Sequence, residues 1–398
     1  MQNEEGPDDM TSSYIEFSMF LIFTGAAVMA TLALFARQAM LVAYILLGII
    51  LGPWGLSLVN DPGLIQDISN IGIIFLLFLL GMDLLPQQML QMLGEALSIT
   101  VASSLLFWGI GFGVVYGFGF SVPDSILVGV VLMFSSTIIG VKLMPTTSLH
   151  HRHTGQMIIS VLLIQDLVAI LVLLLLQGYG KGVDLVKDIL MQLGTLPVLV
   201  VVSWFLERYV VEKLIIRFDQ IHEYIFLLAI AWCLGVAELS GVMGLSREIG
   251  AFIAGVTLAS SPIALFITEK LKPLRDFFLI IFFFSLGAGF NMVAVGQILI
   301  PAVLLALFVI IVKPMVFRLL FVLAGEKRDV SLEVGVRLGQ ISEFSLLIAV
   351  LAVESRFISA TASYLIQLAT LLTFIFSTYI IVLRYPTPIA VSDRLRRD

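Results

Sequence analysis

Charge is scarce in this chain. Asp, Glu, Lys and Arg make up 13% of its 398 residues, where a soluble domain carries roughly 25%. Cysteine is scarcer still: Cys233 stands alone, which excludes an intramolecular disulfide and a cysteine metal cluster. The opening "MQNEEGPDD" lacks the basic stretch of a secretory signal, so no cleaved leader is expected. No segment interleaves basic and aromatic residues, so nucleic acid is not among the expected partners. The net charge of −6 decides little, because here the position of charge matters more than its sum.

What fills the chain instead is apolar: 60% of the residues are hydrophobic. Segments of spanning length, roughly 17–25 residues, are centred near 25, 48, 74, 105, 134, 166, 197, 230, 254, 285, 308, 342 and 370. They leave no room for a soluble domain between them and are apolar on most faces rather than along one stripe. The expected fold is therefore an all-α integral membrane protein with about 13 transmembrane helices. Sixteen of the 22 Lys and Arg, from Arg37 through Arg152 and Arg318 to Arg397, then fall on one side, and Lys181, Lys187, Arg247 and Arg356 on the other. By the positive-inside rule this places the N-terminus outside and the C-terminus in the cytoplasm. The expected organisation is an acidic extracytoplasmic tail (1–13), a transmembrane domain (14–384) and a basic cytoplasmic tail (385–398).

Four intramembrane features need a reason. In "SVLLIQDLVAILVLLLLQ" Asp166 follows Gln165 inside an apolar run. A carboxylate there costs about 2.5–3.5 kcal/mol on insertion scales, so a functional role is the default reading. Lys313 lies in "LALFVIIVKPMVF", directly before Pro314. Ser135, Ser136 and Thr137 interrupt the fifth span as "FSST". "RLGQISEF" brings Arg337, Gln340, Ser342 and Glu343 into the twelfth. The interruptions hold corresponding places in two halves, one just before the Asp166 span and one just after the Lys313 span. That is the sequence sign of an inverted-repeat transporter with two crossed, broken helices, whose freed backbone lines a binding cavity.

Blander readings stand beside these. Membrane Ser and Thr often bond back to the preceding turn, Arg337 and Glu343 read equally well as a structural ion pair, and Lys313 could snorkel. His150, His151 and His153 read as a solvated basic loop rather than a metal cluster. Gly109, Gly113 and Gly117, four apart, predict close helix packing. A lone buried carboxylate has the clearest chemistry. Burial disfavours its charged form and a nearby ammonium favours it, so a proton and a monovalent cation can compete for Asp166. One titrating group carries one charge each way, which makes exchange electroneutral and needs no cofactor beyond the transported K⁺ or Na⁺ and H⁺.

These residues resemble the monovalent cation:proton antiporter-2 family, in particular the membrane domain of the glutathione-gated potassium efflux (Kef-type) antiporters. The resemblance runs through "AYILLGIILGPWGL" (43–56), "LLFLLGMDL" (76–84), "SSTIIG" (135–140), "VLLIQDLVAI" (161–170), "GAFIAGVTLASS" (250–261), "FFFSLGAGF" (282–290) and "LGQISEFSLLI" (338–348). It implies a homodimer in a bacterial inner membrane, thirteen spans per protomer and elevator-like movement. It makes Asp166 the ion and proton site and Gln165 the mark of the potassium-associated branch. Lys313 becomes the lysine that pairs with the aspartate, and Ser135, Ser136, Thr137, Gln340 and Glu343 the unwound segments. Kef-type proteins continue into a cytosolic nucleotide-binding regulatory domain, whereas this chain ends at "RLRRD", and their acidic loop after the ninth span reads "IALFITEKLKPLRD" (263–276) here. Sodium/proton exchange uses the same scaffold. A potassium channel would carry a filter loop and an intramembrane enzyme a paired acid or nucleophile–base set; neither pattern is present in the sequence.

Overall fold

The computed structural model describes residues 7–59, 62–83, 86–144, 153–179, 185–218, 220–259, 261 and 264–387. His150, His151, the first six residues of the expected N-terminal tail and residues 388–398 of the C-terminal one lie outside the described residues. The architecture is all-helical. In chain order the helices are α1 (Pro7–Phe35), α2 (Met40–Leu51), α3 (Pro62–Asp83), α4 (Pro86–Gly117), α5 (Val122–Met133) and α6 (Thr137–Lys142). Then follow α7 (His153–Tyr179), α8 (Leu185–Leu206), a π-helical turn at Glu207–Val211, α9 (Glu212–Arg217), α10 (His222–Val242) and α11 (Arg247–Ala259). The last are α12 (Ala264–Ala288), α13 (Val295–Leu323), α14 (Arg328–Arg337), α15 (Glu343–Glu354) and α16 (Ala360–Arg384).

Among the described residues, seven stretches are long and apolar enough to cross a membrane, by length and composition: Ile15–Phe35, Ala96–Gly117, Val122–Gly140, His153–Leu173, His222–Val242, Met292–Leu323 and Ala360–Arg384. Met40–Leu51 and Ser69–Met82 are shorter apolar helices. Eleven of the thirteen expected centres fall on helices, and the two near 134 and 342 fall on the interruptions between α5 and α6 and between α14 and α15.

Two compact units make up the chain: Met1–Leu76 with Lys272–Met292, and Leu77–Leu271 with Val293–Asp398. In the first, α2 and α12 meet backbone to backbone. A Cβ on Gly48 would stand 2.1 Å from the Phe284 carbonyl oxygen, and one on Gly287 would stand 2.0 Å from that of Ile45. Around this contact Ile22, Ala26, Leu47, Leu51, Phe284 and Ala288 form an apolar core.

The second unit repeats the device. Cβ atoms on Gly81 of α3 and Gly255 of α11 would stand 2.4 Å from the Phe252 oxygen and 2.0 Å from the Phe78 oxygen. The motifs that carry the family resemblance are thus, in these four cases, paired backbone contacts. The expected packing stripe in α4 meets none of the described residues: at Gly109, Gly113 and Gly117 an added Cβ would find nothing among them within 4 Å. The close approach lies two residues over. A Cβ on Gly111 would stand 2.5 Å from Leu132 Cδ1, and one on Gly129 would stand 2.6 Å from the Trp108 oxygen. The four-residue spacing of glycines did not mark the face of α4 that meets α5, where Gly111 lies.

The start of α5 is fixed by Ser121, whose Oγ accepts the Asp124 N–H at 3.2 Å and donates to Asp124 Oδ2 at 2.7 Å. Asp124 also accepts the Ser359 N–H at 2.8 Å, which ties the N-termini of α5 and α16 together. The buried core of this unit brings Phe107 of α4, Val161 of α7, Phe317 of α13 and Val334 of α14 into one cluster.

Candidate functional site

The polar residues singled out in the sequence converge where the two interruptions meet. α5 stops because Phe134 turns extended (φ −85°, ψ 146°), and the chain stays unwound through Ser136. The second interruption spans residues 338–342, after which Ser342 caps α15 by accepting the Phe344 N–H at 3.1 Å. Backbone freed at this depth has no water to turn to, so its donors and acceptors need protein partners. Side chains from three other helices supply many of them.

Gln165 of α7 serves the first interruption. Its Oε1 accepts the Ser135 N–H at 2.9 Å and its Nε2 donates to the Met133 carbonyl at 2.9 Å. Both ends of the amide are thus committed to backbone on either side of Phe134. Asp166 follows directly, with a relative exposure of 5%.

Lys313 of α13 serves both interruptions. Its ammonium donates to the Phe134 oxygen at 2.7 Å and the Gln340 oxygen at 3.0 Å, and it sits 5.4 Å from the Phe107 ring centroid. Helix C-terminal ends carry partial negative charge, and the buried Lys313 amino group answers the one at Phe134 as well as a carbonyl of the second interruption. Pro314 next to it fits only because α14 and the unwound stretch after it are bare there: Cβ atoms on Gly335 and Gly339 would stand 2.5 Å from the Pro314 oxygen and 2.8 Å from its Cγ.

Glu343 does the opposite job. It is the first residue of α15, and its Oε1 accepts the Ile138 N–H at 3.3 Å from the first turn of α6. One carboxylate therefore stands at the positive ends of two short helices. Direct bonds also join the interruptions: Ser135 Oγ donates to the Leu338 oxygen at 2.9 Å, and Gln340 Nε2 donates to the Ser136 oxygen at 3.2 Å. Ser136 Oγ accepts the Ile139 N–H at 3.1 Å. The Thr137 hydroxyl is buried with no hydrogen-bond partner among the described residues.

Arg337, 1% exposed, does not rely on Glu343. It donates to Glu333 Oε1 at 3.0 Å, one turn back on α14. Its other nitrogens donate to the Leu143 oxygen at 3.2 Å and the Pro386 oxygen at 3.0 Å, with the Tyr385 ring 5.6 Å away. Burial pushes the Tyr385 hydroxyl above its ordinary pKa. Arg337 thus joins the chain after α6 to the chain after α16. His153 pairs with Glu326 at 2.6 Å, away from the interruptions in sequence.

Sequence reasoning missed Ser345, whose Oγ donates to the Val131 oxygen at 2.8 Å, and Thr373 and Ser377 of α16, which bond Ile341 and Gln340. An isolated hydroxyl in an apolar run carries no signal that separates these from ordinary back-bonding residues.

Unwound backbone, Asp166 and Lys313 buried inside spanning stretches, and the buried Glu343 at the second break make a polar centre of the kind that transporters build at midplane. Residues 21–383 match the family described as sodium/hydrogen exchanger, transmembrane. The chain belongs to that family. It is 27% identical over 344 residues to the iron transporter MagA of Paramagnetospirillum magneticum, covering 86% of this chain and 79% of that one. It is 30% identical over 329 residues to K(+) efflux antiporter 4 of Arabidopsis thaliana and 31% over 332 residues to K(+) efflux antiporter 5. Those alignments take in 79% and 78% of this chain but only 54% and 56% of the plant proteins, so the chain spans about half their length. The solved structure of the sodium proton antiporter MjNhaP1 from Methanocaldococcus jannaschii superposes with a TM-score of 0.69, covering 93% of this chain and 96% of that one at 18% identity. That likeness is one of fold.

Proposed function

We propose that the chain performs electroneutral exchange of a monovalent cation for a proton, that the cation is potassium, and that both ions share Asp166. The observation that supports this reading is the docking of Gln165 onto the first interruption, because the buried Asp166 is its neighbour in the chain. Deprotonated Asp166 binds the cation; protonation releases it. Ser135, Ser136, Thr137, Gln340 and Glu343 form the surroundings, with the Thr137 hydroxyl, which bonds none of the described residues, offering an oxygen to a partly dehydrated cation. Lys313 holds the breaks in register and sets the local field in which Asp166 titrates. The likeness to plant K(+) efflux antiporters favours potassium over sodium, and the family description keeps sodium as the alternative.

In this reading the site faces each side of a bacterial inner membrane in turn, by elevator-like movement in a homodimer. The N-terminus is outside, the C-terminus cytoplasmic, and a regulatory domain or subunit acts on the full-length system. The test is reconstitution in liposomes with a trapped pH dye. Pulses of K⁺, Na⁺ and Li⁺ move protons in the wild type, K⁺ most effectively, and Asp166→Asn abolishes the signal. Transport surviving in Asp166→Asn sinks the mechanism; current that follows voltage without proton movement points to a channel.

A further inference from the structure

α16 presents a polar file to the second interruption. Thr370 and Thr373 are fully buried, and Ser377 is 3% exposed. A hydroxyl in an apolar helix ordinarily returns its proton to a carbonyl three or four residues back. Thr370 does so to the Ile366 oxygen at 2.7 Å, and Thr373 to the Thr370 oxygen at 2.9 Å. With its proton spent, Thr373 Oγ1 has lone pairs left, and it accepts the Ile341 N–H at 3.2 Å. Ile341 lies inside the unwound stretch, one residue after the carbonyl that Lys313 holds.

Ser377, one turn further along α16, donates to Gln340 Oε1 at 3.2 Å. The other end of that amide donates to the Ser136 oxygen and to the Arg337 oxygen at 2.8 Å. The amide therefore has one workable orientation, since turning it over would set its oxygen against two carbonyls. A chain of bonds runs from Ser377 through Gln340 to Ser136, so α16 reaches the first interruption through the second.

We propose that Thr373 and Ser377 are positioning residues of the cation site: α16 sets the height and orientation of the 338–342 backbone and, through Gln340, of the Ser136 carbonyl. The assignment rests on the exchange reading above. Losing either hydroxyl displaces oxygens that a cation would meet, so the effect falls on cation affinity before it falls on the rate at saturation.

The full chain in liposomes, with the trapped dye, gives half-saturating K⁺ and maximal rate for wild type, Thr373→Val, Thr373→Ser and Ser377→Ala. Amide hydrogen exchange of residues 338–345 is followed in detergent for the same proteins. Thr373→Val raises half-saturating K⁺ by about fivefold or more while the maximal rate stays within about twofold, the signature of lost binding rather than lost turnover. Thr373→Ser restores the wild-type value, Ser377→Ala shifts it in the same direction as Thr373→Val, and only Thr373→Val speeds exchange at Ile341. If Thr373→Val fails to fold, Ser377→Ala and the serine rescue carry the test. Unchanged half-saturation in both hydroxyl-loss variants of an active wild type overturns the positioning role alone, as does unchanged Ile341 exchange in Thr373→Val. A wild type that moves no protons on any cation pulse overturns the exchange reading, and this assignment with it.

Discussion

Lys313 Nζ donates to the Phe134 carbonyl at 2.7 Å across 179 positions of sequence, and the same ammonium reaches Gln340 at 3.0 Å. The lysine is therefore a structural clamp between the two interruptions, whatever it contributes to the charge balance at Asp166. Lys313→Met leaves both carbonyls buried without a donor, at about 1–3 kcal/mol each. The midpoint of thermal unfolding in detergent falls, and Lys313→Arg, which keeps the charge and several donors, falls less.

Gln165 is read by its neutrality in the sequence but by its two bonds in the structure. Gln165→Leu removes the partners of Ser135 N–H and Met133 O, and exchange drops by about tenfold or more, in line with about 1.4 kcal/mol per decade. Because no charge is added or removed, a voltage-sensitive dye still registers no potential from the residual transport. A potential appearing in this variant contradicts electroneutrality set by Asp166 alone.

Gly255→Ala and Gly109→Ala form a matched pair. The first drives a methyl to within 2.0 Å of the Phe78 carbonyl oxygen; overpacking of this kind costs about 1–3 kcal/mol, and the yield of monodisperse protein falls. The second adds a methyl where none of the described residues lies within 4 Å and gains up to about 1 kcal/mol of helix propensity, so stability holds or rises.

Arg337 joins Glu333, Leu143 and Pro386 through separate nitrogens. Lysine has no planar fork to reach all three. In Arg337→Lys, amide exchange of residues 384–387 accelerates and limited proteolysis releases the C-terminal segment earlier, before any change at α2 or α12.

Much of the fold was legible beforehand. Spanning length and all-round apolarity mark the helices, and the polar residues at 135–137 and 338–343 mark where two of them break. Gln165 and Asp166 also stood out as positions needing a reason, because a polar residue that the membrane penalises is conspicuous among apolar neighbours. The partners were harder. Arg337 and Glu343 read as a pair six residues apart, yet Arg337 bonds Glu333 and Glu343 receives the Ile138 amide. Gly109, Gly113 and Gly117 have the spacing of a packed face, yet Gly111 and Gly129 make the contact.

Sequence alone determined that this chain spans a membrane, where its helices are interrupted, and that Asp166 and Lys313 are the costly charges to be explained. That information is local, since it depends on run length and on the price of burying one polar group. Tertiary structure decided who answers each freed backbone group: Gln165 for Ser135, Lys313 for Phe134 and Gln340, Glu343 for Ile138, and Thr373 for Ile341. Those bonds join residues up to 205 positions apart. They follow from the requirement that every donor and acceptor away from water be met, which names the need in the sequence but leaves the partner to packing.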